Sequence, residues 1–92
     1  MERDREQAQP SRAVTAQVSR AHIAFGAAVR TRRQELGYSQ ESLAREAGLH
    51  RNYVGAIERG EQNVALTNIL KISRVLRLPA SSLVAEAERG LG

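Results

Sequence analysis

Arg51 and Asn52 stand side by side where a short helical stretch begins, and both side chains suit the reading of nucleic-acid bases. A guanidinium can donate two parallel hydrogen bonds to guanine O6 and N7, and a carboxamide can pair with adenine N6 and N7. Each such pair discriminates by about 1–3 kcal/mol. The alternative for Arg51 is a solvated or phosphate-bound guanidinium. His50, just before the pair, and Ala56, one turn beyond Asn52, share the expected base-facing surface. Ala56 could offer only a methyl contact, as to thymine. Gln40 opens the preceding helical stretch, where its amide and free backbone N–H groups can meet a phosphate. Arg59, Gln62 and Asn63 follow the second stretch and are candidates for further phosphate contacts. Tyr53 is open between packing its ring on the domain and reaching a phosphate with its hydroxyl.

Other chemistries lack residues. His22 and His50 fall on different expected helices without paired acids nearby, and zinc sites want three or four converging ligands. No Ser-His-Asp set, phosphate loop or Gly-x-Ser-x-Gly elbow is present. An enzyme, a metal site, a cofactor and a small-molecule ligand are therefore not expected.

The candidate readers need two short helices at a fixed angle. Ser39 can cap the first, with Glu41 in its first turn where a carboxylate suits the helix dipole. Leu43, Ala44 and Ala47 form its inner side, Gly48 supplies the positive φ that stops it, and Leu49 fills the corner. The second begins near His50, carries Val54 and Ile57 inward and ends at Arg59-Gly60. That is the pattern of a helix-turn-helix, whose second helix enters the DNA major groove. Ahead of it, a helix from Ser19 to Gly37 has Ile23, Phe25, Ala28, Val29, Arg32, Arg33 and Leu36 near a 3.6-residue repeat. After it, Leu66, Ile69, Leu70, Ser73 and Leu76 predict one inner side of a fourth helix. Pro79 suits the first turn of a fifth, with Leu83, Val84 and Ala87 apolar. The fold class expected is an all-α, compact five-helix domain over residues 19–88. Residues 1–18 read as a mobile arm or partly helical leader, and residues 89–92 as a frayed end.

Charge agrees with a polyanionic partner. The chain carries a formal net charge of +4. Arg3, Arg5 and Arg12 cancel against Glu2, Asp4 and Glu6, so the excess lies in the expected folded part. All the basic residues but Lys71 are arginine, the side chain suited to bidentate contacts. Cysteine is absent, which fits a reducing compartment. No apolar run could span a membrane or serve as a signal peptide, so a cytoplasmic protein is expected.

Phe25-Gly26, Val29-Arg30, Arg33, Gly37, Ser39-Gln40, Leu43-Ala44, Gly48, Ile57-Glu58-Arg59-Gly60, Leu66 and Leu83 stand at a family's spacing. Residues 25–84 resemble the Cro/C1-type helix-turn-helix domain of lambdoid phage repressors and xenobiotic-response-element regulators, a compact lambda-repressor-like fold. Within that family, Leu49 to Gly60 followed by Asn63-Val64 looks most like the controller proteins of restriction–modification systems. The resemblance implies that Gln40 also braces the recognition helix, and that Arg33 and Glu58 form a partly buried ion pair. Three positions depart from the pattern. His50 replaces the usual Asp, Ser or Thr cap, so that cap is weaker or made by imidazole. Ala65 replaces a Ser or Thr cap, leaving Asn63 as substitute. Arg77 replaces a common glycine.

The function expected is a sequence-specific transcriptional regulator binding double-stranded DNA as a homodimer on a palindromic operator, and the controller resemblance implies autoregulation. Leu83, Val84, Ala87 and Leu91 are the expected dimer surface, unless the leucines close the monomer core. The alternative is an antitoxin or protein-interaction adaptor on the same fold.

Overall fold

Serine oxygens set where the first two helices begin. In a computed structural model describing residues 11–92, α1 spans Arg12–Glu35, α2 Gln40–Ala47, α3 Arg51–Glu58, α4 Leu66–Leu76 and α5 Ala80–Arg89. No strand occurs among the described residues, so the architecture is the all-α one expected. Ser11, not Ser19, caps α1, its Oγ accepting the Val14 N–H at 3.1 Å. Residues 12–18 thus continue α1, while Arg3, Arg5 and the rest of the leader lie outside the described residues. At α2, Ser39 Oγ accepts the Ser42 N–H and Ser42 Oγ accepts the Ser39 N–H, both at 2.9 Å, a reciprocal capping box.

The turn between α2 and α3 rests on Gly48 at φ 71°, where a side chain would be strained. The Leu49 N–H then reaches back to the Ala44 carbonyl at 2.8 Å, and Leu49 packs against the core. The two later caps are bare. Neither His50 before α3 nor Ala65 before α4 makes a side-chain cap bond, so neither the imidazole nor Asn63 takes that role. Arg77, ending α4, is held at φ 58°, the left-handed region that costs an L side chain about 1–2 kcal/mol. Arg77→Gly should therefore raise stability by about 1 kcal/mol. Thermal unfolding followed by circular dichroism would show this as a midpoint about 4–8 °C higher. An unchanged or lower midpoint would mean that Arg77's own side chain offsets the strain.

One core joins all five helices: Phe25 and Val29 from α1, Leu43 and Ala44 from α2, Val54 and Ile57 from α3, Ile72 and Leu76 from α4, and Leu83 from α5. Several expected faces are corrected here. Ile23 is 56% exposed, Leu66 68% and Leu70 48%. On α4 the buried residues are Ile72, Ser73 and Leu76, with Ile69 packed against them. Leu66 and Leu70 sit one turn apart on a flank of that stripe. Leu83, placed at a dimer surface by the sequence, is only 1% exposed and closes the monomer core, because α5 turns it between the other helices.

The core also fixes how α1 crosses α3. Gly26 lies where the two backbones touch: a β-carbon there would stand 2.2 Å from the Ile57 carbonyl oxygen and 2.8 Å from that of Glu58. Glycine is what lets α3 sit this close to α1.

Candidate nucleic-acid interface

The recognition helix is held from behind by a buried charge. Arg33 Nε donates to Glu58 Oε2 at 2.6 Å and its Nη2 to Glu58 Oε1 at 3.0 Å, a two-pronged pair between α1 and α3. The Arg33 side chain is 10% exposed and that of Glu58 3%. Burial alone would penalise both ions, so the pair depends on complete satisfaction of its donors and acceptors. Two further bonds supply this. Arg33 Nη1 donates to the Tyr38 carbonyl at 2.9 Å, and Gln40 Nε2 donates to Glu58 Oε1 at 3.0 Å. The hydrogen bond to Glu58 outweighs desolvation and raises the Arg33 pKa above its ordinary value, so Arg33 stays charged throughout the working pH range.

Gln40 thereby joins the start of α2 to the end of α3. One amide N–H is committed to Glu58; the other, with the free backbone N–H groups at the start of α2, has no partner among the described residues. On the outer side, Gln40, Arg51, Asn52 and Arg59 surround a shallow polar hollow with Gly55 in its wall. A β-carbon at Gly55 would meet Arg59 Nη1 at 3.2 Å and Gln40 Oε1 at 3.5 Å, so its absence keeps the hollow open. Arg51 and Asn52 are exposed and have no hydrogen-bond partner among the described residues. Arg59 Nε pairs with Glu61 Oε2 at 3.1 Å, but both side chains are more than half exposed. Such a pair is weak and readily exchanged for another anion.

The remaining sequence candidates divide. His50 is exposed at the N-cap beside Arg51. Ala56 is a correction: it is 9% exposed and belongs to the buried side of α3. Buried to that extent, the methyl has little surface to offer a base; the Glu61 N–H meets the Ala56 carbonyl at 2.9 Å and closes the end of the helix. Gln62 is half-buried. Asn63 is exposed but lines a different hollow, with His22, Val64 and Val84. Tyr53 packs its ring on the core while its hydroxyl accepts from Asn68 Nδ2 at 3.0 Å. That leaves the phenolic proton free to donate. Asn68 was missed from the sequence because nothing local links a polar residue in α4 to one in α3. Glu41, expected only as a first-turn carboxylate of α2, lines a hollow with Gln40 and Arg51 and brings a negative charge to that face.

Among the described residues no three of His, Cys, Asp and Glu converge as metal ligands, and no helix is long and apolar enough to cross a membrane.

Known proteins share this arrangement. A helix-turn-helix family (HTH_3) matches residues 29–83. The chain is 42% identical over 72 residues to the "Neisseria hypothetical transcription factor" of Neisseria meningitidis, covering 78% of this chain and 66% of that one. It is 46% identical over 63 residues to Control protein C.BamHI of Bacillus amyloliquefaciens, covering 67% of this chain and 78% of that protein. Among solved structures, the restriction-modification controller protein C.AhdI from Aeromonas hydrophila is similar, with a TM-score of 0.66 at 45% identity. That match covers 67% of this chain and 94% of the other. The chain belongs to the helix-turn-helix family of Cro/C1 (xenobiotic-response-element) type, whose members are DNA-binding transcriptional regulators and not enzymes.

Proposed function

We propose that this protein binds a palindromic operator as a homodimer and regulates transcription there, its own included. The observation that carries the reading is the convergence of exposed Arg51 and Asn52 with Gln40 and Arg59 on one face. In it, Arg51 and Asn52 read base edges, with His50 at their margin, while Gln40, Arg59 and the Tyr53 hydroxyl hold phosphates. Gln62 and Asn63 stand farther round the following loop and at most steady the backbone.

Two copies are supported by an apolar flank made of α4 and α5. Leu66, Leu70 and Val84 are exposed large apolar residues. Leu70 and Ala80 line one depression, and Ile69, Val84 and Ala87 the next. Of the residues expected from sequence, Val84, Ala87 and Leu91 remain available for this contact and Leu83 does not. A two-fold pair would set recognition helices about one DNA turn apart and double the base contacts. The names of two relatives, a control protein and a restriction-modification controller, favour control of a small set of genes by the protein's own level.

Selection of bound sequences from a random DNA pool, followed by a salt titration on the winner, tests this. A palindrome should emerge, with log affinity falling steeply against log salt. Arg51→Ala should erase the preference at one base per half-site, at about 1–3 kcal/mol, whereas Arg59→Ala should weaken all sequences alike. Uniformly weak binding with no enriched motif would overturn the reading in favour of a protein-binding adaptor.

A further inference from the structure

Helix α1 is longer than the domain needs. Every residue from Ser11 to Arg20 is exposed, and half-burial begins only at Ala21 and His22. The covering element at that point is the end of α5. A β-carbon at Gly90 would lie 2.7 Å from the Arg20 carbonyl oxygen and 2.9 Å from Ala24 Cβ, so α5 closes on α1 there. Its last helical residue is Arg89, and the first two turns of α1 continue beyond it.

Those turns carry an uncovered continuation of the core stripe. Val14, Val18, Ala21 and Phe25 follow one another at intervals of four, three and four, the spacing of a helix–helix seam. Phe25 is 5% exposed, whereas Val18 is 42% and Val14 46% exposed. Leu91, 38% exposed, lies just past Gly90 at the same end. A helix of two free turns is marginal in water without a partner for its apolar face.

The flanks of the seam say which partner. Along residues 12–20 the seam is bordered by Thr15 and Gln17, and neither is a carboxylate or a guanidinium. An acidic partner helix would call for cations at those places. Arg12 and Arg20 instead point away from the seam by their register. Two copies of one helix need flanks that do not repel when each meets itself, and neutral ones satisfy that. We infer that residues 12–20 of α1 pack against the same segment of a second copy, as an arm-to-arm clasp added to the α4–α5 contact. The inference rests on the homodimer reading and deepens it.

Sedimentation equilibrium on the full chain tests the clasp with three variants. Val14→Glu/Val18→Glu places like charges in the seam and should raise the dimer dissociation constant roughly tenfold or more. Val14→Ala/Val18→Ala removes the apolar contact while favouring the helix, and should shift the constant in the same direction by less. Ala16→Glu puts the same charge on the arm but off the seam, and should leave self-association unchanged. The domain's melting midpoint should hold in all three at monomer concentrations. A wild-type dimer indifferent to both seam variants but split by Val84→Glu would overturn the clasp and leave the homodimer standing. A wild-type chain that stays monomeric, alone and on DNA, would overturn both.

Discussion

Glu58→Ala should cost about 3–5 kcal/mol of stability, most of what a domain of this size has to lose. The reason is what stays behind. Arg33 would keep its charge, since a guanidinium is not deprotonated in proteins, yet it would lose the bond that favours that charge; its side chain is 10% exposed and would have only the Tyr38 carbonyl as partner. Gln40 would lose its acceptor as well. Replacing both charges by apolar groups, as in Arg33→Met/Glu58→Leu, should recover much of the stability, because no unpaired ion remains. DNA affinity should not recover with it, since Gln40 would still lack the bond that ties α2 to α3. Urea denaturation of the three proteins checks the first part and operator binding the second. A single variant with wild-type stability would show that the pair contributes nothing to the fold.

The second large effect is expected at Gly26. In Gly26→Ala the new methyl would stand 2.2 Å from the Ile57 carbonyl oxygen, a fixed backbone atom, so α1 and α3 would have to part. Alanine favours a helix over glycine by about 1 kcal/mol, but overpacking of this kind costs about 3 kcal/mol. The net sign is therefore destabilising. Because α3 carries Arg51 while α2 carries Gln40, the shift should also weaken DNA binding at temperatures where the variant is still folded. A denaturation midpoint equal to that of the wild type would refute the close crossing.

These two positions show what can be read from residue order and what cannot. The helix-turn-helix was legible because its limits are written locally: Ser39 starts α2, Gly48 stops it, and Gly60 follows α3. The inner residues Leu43, Ala44, Val54 and Ile57 follow from a period of 3.6. The Arg33–Glu58 contact came from family likeness, since nothing near either residue in the chain points to the other. Local periodicity misjudged faces by one position where a helix has apolar residues on two flanks, as at Ile23, Leu66 and Leu70. It left Leu83 open between a dimer surface and the monomer core, because a short fifth helix offers too few turns to fix its rotation, and the core is where it lies. Ala56 follows Gly55 and precedes Ile57 on the buried side of α3, a rotation that an eight-residue helix with few large side chains does not fix by period alone. The early start of α1 stayed open between a mobile arm and a partly helical leader, because Val14 and Val18 are the only large apolar residues of its first turns, and the hydrogen bond between Asn68 and Tyr53 joins separate helices.

The bare outer wall of α3 has a consequence for how such a regulator finds its targets. With Gly55 lacking a side chain and Ala56 turned inward, the proposed readout falls to the first turn alone, Arg51 and Asn52. Two base pairs per half-site carry roughly four bits of information, and a pair of half-sites roughly eight, so chance matches would recur every few hundred base pairs. A bacterial genome offers on the order of 10⁶ competing positions. Selectivity would then depend on the flexibility of the spacer between half-sites and on operators set close enough for neighbouring dimers to assist one another. The same economy makes such operators easy to gain by one or two base changes, so a gene newly placed beside this one could come under its control within few mutations.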